Sequence, residues 1–182
     1  MKKLINLFSA CTLVFLMSSC AKELRPFTAN ILREGNWSDT ELQKIQFYLS
    51  DDIVIRRKLT EGSNEIASGG VIKIFKGEKV EEVRVPRGTP GVFLLRAKDN
   101  HFAIGFDAAN DKRFLMFGPN PKRQGDYVLL ASEWKDRYGK VRYDDRFFFT
   151  DEQSSFATLL VDFRKFKKVE VNSKVERGRK VQ

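Results

Sequence analysis

One histidine, two Asp-Asp pairs and two cysteines are the residues of this 182-residue chain whose types and spacing invite a chemical reading. His101 follows the Asp99-Asn100 turn signal. As a general base it would need an oriented nucleophile and a third group to hold it, and no spacing of Ser or Asp supplies such a set. Asp51-Asp52 and Asp144-Asp145 are neighbours in sequence. Glycosidase carboxylates stand about 5–9.5 Å apart across a cleft, whereas adjacent residues on a strand point to opposite faces. Each pair therefore reads as turn-forming aspartates whose side chains accept from nearby backbone. A single histidine and so few thiols predict no metal site. Gly69-Gly70, Gly77 and Gly91 suit turns, not a phosphate-cradling loop. No residue is assigned to catalysis, no cofactor is expected, and a non-enzymatic role is the expectation.

Surfaces remain. Two basic-aromatic clusters stand out: Lys122-Arg123 beside Tyr127, and Trp134 with Lys135 and Arg137. Trp, Tyr and Arg are favoured where partners bind, and loops often carry function. Lys122, Arg123, Tyr127, Trp134 and Arg137 are the candidate partner-binding residues. The plain competing reading makes Trp134 a core or rim residue and the basic loop a solvated one.

Both cysteines sit in a distinct segment. Lys2 and Lys3 precede an apolar run from Leu4 to Met17, then Ser18, Ser19 and Cys20. A basic start, a short apolar stretch and small residues before a cleavage point form a secretory signal. A membrane span needs about 20 apolar residues, and this run is shorter and broken by Asn6, Ser9 and Thr12. The ending Met17-Ser18-Ser19-Cys20 resembles the lipobox of bacterial lipoproteins. That resemblance implies that residues 1–19 are removed and that Cys20 becomes the lipidated first residue. Because one acyl chain binds membranes only marginally and two or more anchor stably, the diacylglyceryl and palmitate-type acylation of that class implies a lasting tether. Ala21 in place of Asp then favours the outer membrane, facing the periplasm. Ordinary secretion is the alternative. With Cys11 removed and Cys20 acylated, the mature domain holds no thiol for a disulfide or metal.

Cleavage leaves 163 residues, the size of one domain, with a formal charge lowered from +9 to +7 by loss of Lys2 and Lys3. Behind an export signal that charge excludes nucleic acid and points to anionic lipid, glycan or an acidic patch on an envelope protein. It also suits a merely solvated basic surface, since no like-charge run exceeds three residues. The expected role is a lipid-anchored accessory or scaffold component of the bacterial envelope. Binding of an amphiphile or envelope polysaccharide is the alternative.

The elements that must present these surfaces follow from periodicity. Residues 20–37 are polar, with Pro26, Gly35 and Asn36, and read as a tether, although Phe27, Ile31, Leu32 and Trp37 argue that part of it packs back. Ser38 with Glu41 is a capping box, and Leu42, Ile45 and Leu49 share a helical face, predicting one short N-terminal helix over 39–48. From Ile53 the period changes to two. Strands are predicted at 53–59, 71–75, 80–85, 92–95, 102–106, 114–117, 127–131, 141–143 and 147–149, with a loop at 118–125 and a turn at Tyr138-Gly139-Lys140. Residues 156–166 fit either period, and the flanking hairpins favour a strand. Val169, Val171 and Val175 suggest a last one. Short strands at this spacing, without long crossover helices, predict a mainly β fold over 38–182: a single antiparallel sandwich or barrel.

Overall fold

Alternation of apolar and polar residues builds thirteen strands in the computed structural model, which describes residues 22–60 and 69–167. The signal segment 1–19, Cys20, and the strand expected across Val169–Val175 lie outside the described residues. In chain order the elements begin with β1 (Leu24–Pro26), α1 (Ala29–Gly35), α2 (Asp39–Leu42), β2 (Gln46–Leu49) and β3 (Ile53–Lys58). The hairpin β4 (Val71–Phe75) and β5 (Glu78–Val85) follows, then β6 (Pro90–Arg96), β7 (Phe102–Gly105), β8 (Phe114–Asn120) and β9 (Asp126–Leu129). A second run of hairpins gives β10 (Glu133–Lys135), β11 (Tyr138–Tyr143) and β12 (Arg146–Thr150), and β13 (Leu159–Asp162) ends the strands.

These strands form two antiparallel sheets, ordered β1-β13-β2-β6-β7-β8-β9 and β10-β11-β12-β3-β5-β4. Their inner faces share one apolar core: Phe47, Phe93, Phe102, Phe117 and Leu159 come from the first sheet, and Ile53, Ile55, Val83, Val141 and Phe148 from the second. Of the expected sandwich or barrel, the sandwich describes this arrangement. The first sheet nevertheless curls until its two edges meet. Tyr127 N–H donates to the Phe27 carbonyl at 3.0 Å and Leu129 N–H to that of Ala157 at 3.1 Å, with bridges Thr28↔Asp126 and Val128↔Thr158. Inside the curl, Phe27 lies 4.9 Å from the Tyr127 ring and 5.8 Å from that of Phe102. Offset and edge-on aromatic packing of this kind contributes beyond its buried area.

Several expectations are corrected. The capping box at Ser38 forms: Glu41 accepts from Ser38 N–H at 2.9 Å while Ser38 Oγ accepts from Glu41 N–H. The helix it starts is the single turn Asp39–Leu42, not 39–48, because Phe47 and Leu49 are buried in β2 between β13 and β6. Tertiary pairing outweighs a weak helical preference. The tether expected over 20–37 belongs to the fold from Leu24 onward, since β1 pairs with β13 and Phe27, Leu32 and Trp37 are buried. Thr28 caps α1, and Asn36 closes it in the left-handed region at φ 43°. Strand β8 extends into the expected 118–125 loop as far as Asn120, and residues 121–125 make the connection to β9. The turn between β10 and β11 is at Asp136-Arg137, with Asp136 at φ 55°, not at 138–140. Residues 156–166 hold the predicted strand only at Leu159–Asp162, with a 3₁₀ turn before it and helical residues 163–167 after.

Candidate functional site

The carboxylate pairs serve turns. Asp144 and Asp145 both lie at positive φ, 50° and 59°, between β11 and β12. Asp144 there accepts from Arg113 and from the Asn110 amide, both at 3.4 Å. Asp52 accepts from Arg87 N–H at 2.7 Å and also binds Arg84, and these contacts hold its carboxyl below the ordinary carboxylate range. His101 ends the 3₁₀ turn Lys98–Asn100, half-buried against Gly118. Among the described residues no cluster of three or more His, Cys, Asp or Glu is placed to hold a metal.

The five expected binding residues are divided by the structure. Tyr127 is a correction: alternation along β9 turns it inward, fully buried between Phe27 and Phe102. Lys122 and Arg123 are exposed on the 3₁₀ turn Pro121–Arg123. Arg123 Nη1 donates to the Phe156 carbonyl at 3.1 Å. From the other sheet, Arg137 pairs with Glu152 at 2.5 Å and sets its guanidinium 5.5 Å from the Phe156 ring centre. Arg123 and Arg137, expected in separate clusters, thus meet at one exposed phenylalanine. Trp134 faces away from Lys135 along β10, half-exposed and laid over Gly139, where a Cβ would stand 2.8 Å from its ring.

A larger surface lies on the outer face of the second sheet. Tyr138, Phe147 and Phe149 are exposed there by 51%, 56% and 54%. Each stands opposite a cation in the ladder: Tyr138 faces Lys135, Phe147 faces Arg142, and Phe149 faces Lys140 on one side and Arg56 on the other. Lys140 Nζ lies 4.5 Å over the Phe147 ring, and Arg56 continues the pattern 4.4 Å over Phe75. Such cation–ring contacts contribute about 0.5–1 kcal/mol when exposed. Neither Lys135 nor Lys140 forms an ion pair among the described residues, whereas Arg56 shares Glu82 with Lys73 at 2.7 and 2.6 Å. A groove of about 340 Å³ is lined by Lys135, Tyr138, Lys140 and Phe149 together with Glu133 and Asp136. The sequence carried a signal for this face in Phe147-Phe148-Phe149. With a period of two, three consecutive phenylalanines on a strand with one wet face must leave at least one outside.

The second concave feature sits where α1 crosses the curled sheet. A cleft of about 380 Å³ is lined by Arg33, Asn36, Trp37, Arg96, Asn100 and Tyr127 among others. Arg96 is held by Asp39 at 3.0 Å, the Trp37 carbonyl at 2.7 Å and Asn100 at 3.3 Å. The Tyr127 hydroxyl is buried without a protein partner, and burial pushes its pKa up to about 12 against a smaller opposing pull from Arg96. Among the described residues, Trp37 Nε1 is the other buried side-chain donor without a protein partner. It is pressed against Gly35, where a Cβ would stand 1.8 Å from it. Compared with protein-family models, curated proteins and solved structures, the chain matches none.

Proposed function

We propose that this chain is a lipid-anchored protein of the bacterial envelope, held through Cys20. In this reading it works without catalysis, by presenting the outer face of its second sheet to an envelope protein. The observation that carries the reading is the alternation of Tyr138, Phe147 and Phe149 with Lys135, Lys140, Arg142 and Arg56 across four strands. Half-exposed aromatics supply large contact area at small entropic cost, and flanking cations favour an acidic partner surface. The lipobox-like segment supports the anchor, and the basic balance of the chain fits an anionic neighbour.

The test places a photo-reactive amino acid at Phe147 and, separately, at Lys98 on the turn between β6 and β7 of the other sheet, in the membrane-anchored protein. Capture of the same few envelope proteins from position 147 and not from position 98 is the expected result. Glycan or lipid adducts alone at 147 would replace this reading with the ligand-binding one. The anchor has its own check: Cys20→Ala should lose palmitate label and be released from membranes. Retention of either by the variant would remove the anchor from the proposal.

A further inference from the structure

The cleft beneath α1 has in its lining a residue whose donor the fold leaves unused. Tyr127 is fully buried and lines the cleft, yet its hydroxyl has no protein partner. An unsatisfied buried hydroxyl costs about 1–3 kcal/mol, and native structures rarely carry one without a reason. The groups around it are also donors. A guanidinium has five N–H groups, and Arg96 spends three on Asp39, the Trp37 carbonyl and Asn100, so two remain. Arg33 is exposed at the rim with Asn30 as its partner, and Asn36 and Asn100 add amides. Among the described residues no Asp or Glu lines the cleft, and Asp39, which holds Arg96, is committed to that pair. The volume, about 380 Å³, falls within the range of small-molecule sites.

We infer that this cleft binds a small oxyanion, a carboxylate or a phosphate, which lies between Arg33 and Arg96 and accepts a hydrogen bond from the Tyr127 hydroxyl. The site is separate from the outer face of the second sheet and stands or falls independently of it. Carboxylate and phosphate bring the same chemistry, planar or tetrahedral oxygens that take guanidinium and hydroxyl donors together. A free anion, a phospholipid head group and an acidic sugar could each supply it.

The test is thermal unfolding of the full chain in detergent, titrated with inorganic phosphate, glycerol 3-phosphate and galacturonate. At ten times the dissociation constant, a ligand specific for the folded state should raise the midpoint by about 3–5 °C. Arg33→Gln, at an exposed position that the fold does not need, should weaken that binding at least about tenfold, as loss of a charged hydrogen bond does. Tyr127→Phe should do the same, while leaving the ligand-free midpoint equal or higher, because it removes the unsatisfied hydroxyl. That opposite movement of stability and affinity is what a merely structural tyrosine would not give. Binding of glycerol 3-phosphate alone identifies a lipid head group, and galacturonate alone an acidic glycan. Failure of all three probes, or equal binding by wild type, Arg33→Gln and Tyr127→Phe, overturns the inference. So does a lower ligand-free midpoint in Tyr127→Phe, which would mean that the hydroxyl serves the fold.

Discussion

Gly35 ends α1 with no room for a side chain, and the reason is Trp37. A Cβ at 35 would fall 1.8 Å from Trp37 Nε1, and the buried indole is itself packed at a tilt against Phe166, ring centres 4.3 Å apart. Gly35→Ala should therefore destabilise the protein by about 1–3 kcal/mol, as overpacking does, with a changed tryptophan emission in the folded state; denaturant unfolding followed by fluorescence reads both. A second single-residue commitment is Glu81, fully buried against Arg57 at 2.7 and 3.0 Å. Removing one member of a buried ion pair strands the other charge, at a cost of about 3–5 kcal/mol. Glu81→Leu should lower the unfolding midpoint far more than the Arg57→Leu/Glu81→Leu pair, and similar losses in both would contradict a coupled pair. Glu81 drew no notice in the sequence, because nothing in a Val-Glu-Glu-Val stretch says which glutamate the fold will bury.

Strand β12 tests the register that exposes the candidate face. Phe148 is fully buried, whereas Phe147 and Phe149 are half-exposed on the other side of the strand. Phe148→Ala should cost about 3–5 kcal/mol, while Phe147→Ser and Phe149→Ser should each cost about 1 kcal/mol or less, and Phe149→Ser should abolish capture by the photo-reactive residue at position 147. A one-residue slip would invert those costs, so three urea titrations decide it. This strand also shows what was legible. The hairpins β4–β5 and β11–β12 could be found from alternation and turn residues, and Asp144-Asp145 and Lys76-Gly77 occupy the left-handed turns they suggested. The capping box at Ser38 was legible too, but not how short its helix would be, because the pull of β6 and β13 on β2 is a non-local effect. The same limit explains Tyr127. Its neighbours Lys122 and Arg123 marked a basic loop, yet only the closure of the first sheet decides that a tyrosine there turns inward, while Phe147 and Phe149, read simply as an apolar run, turn out.

The whole molecule should be weakened at both ends of the pH scale by groups that the fold perturbs. Glu82, held by Lys73 and Arg56, and Asp107, held by Arg113 and Ala109 N–H, have carboxyls lowered from their ordinary values. Their contribution is present at neutral pH and is lost as pH falls below about 4, where the unfolded chain binds protons first. Tyr127 and Tyr143 are pushed up to about 12, chiefly by burial. Their contribution is present up to about pH 10 and is lost between there and about 12, as the unfolded chain ionises ahead of the folded one. Urea midpoints at pH 3, 7 and 11 should be highest at 7. Tyr143→Phe should blunt the alkaline fall, and an unchanged slope in that variant would assign the fall to other groups.

The position of β1 has a mechanical consequence for the proposed anchor. Leu24, the first strand residue, stands four positions after Cys20 and is pinned to Asp162 of β13. Four residues of fully extended chain span at most about 14 Å. On such an anchor, a domain with so short a leash could not sweep the space around it for a partner. It would ride within reach of the lipid head groups, its tilt confined by its own girth, and anything that engages it must come to the membrane surface to do so.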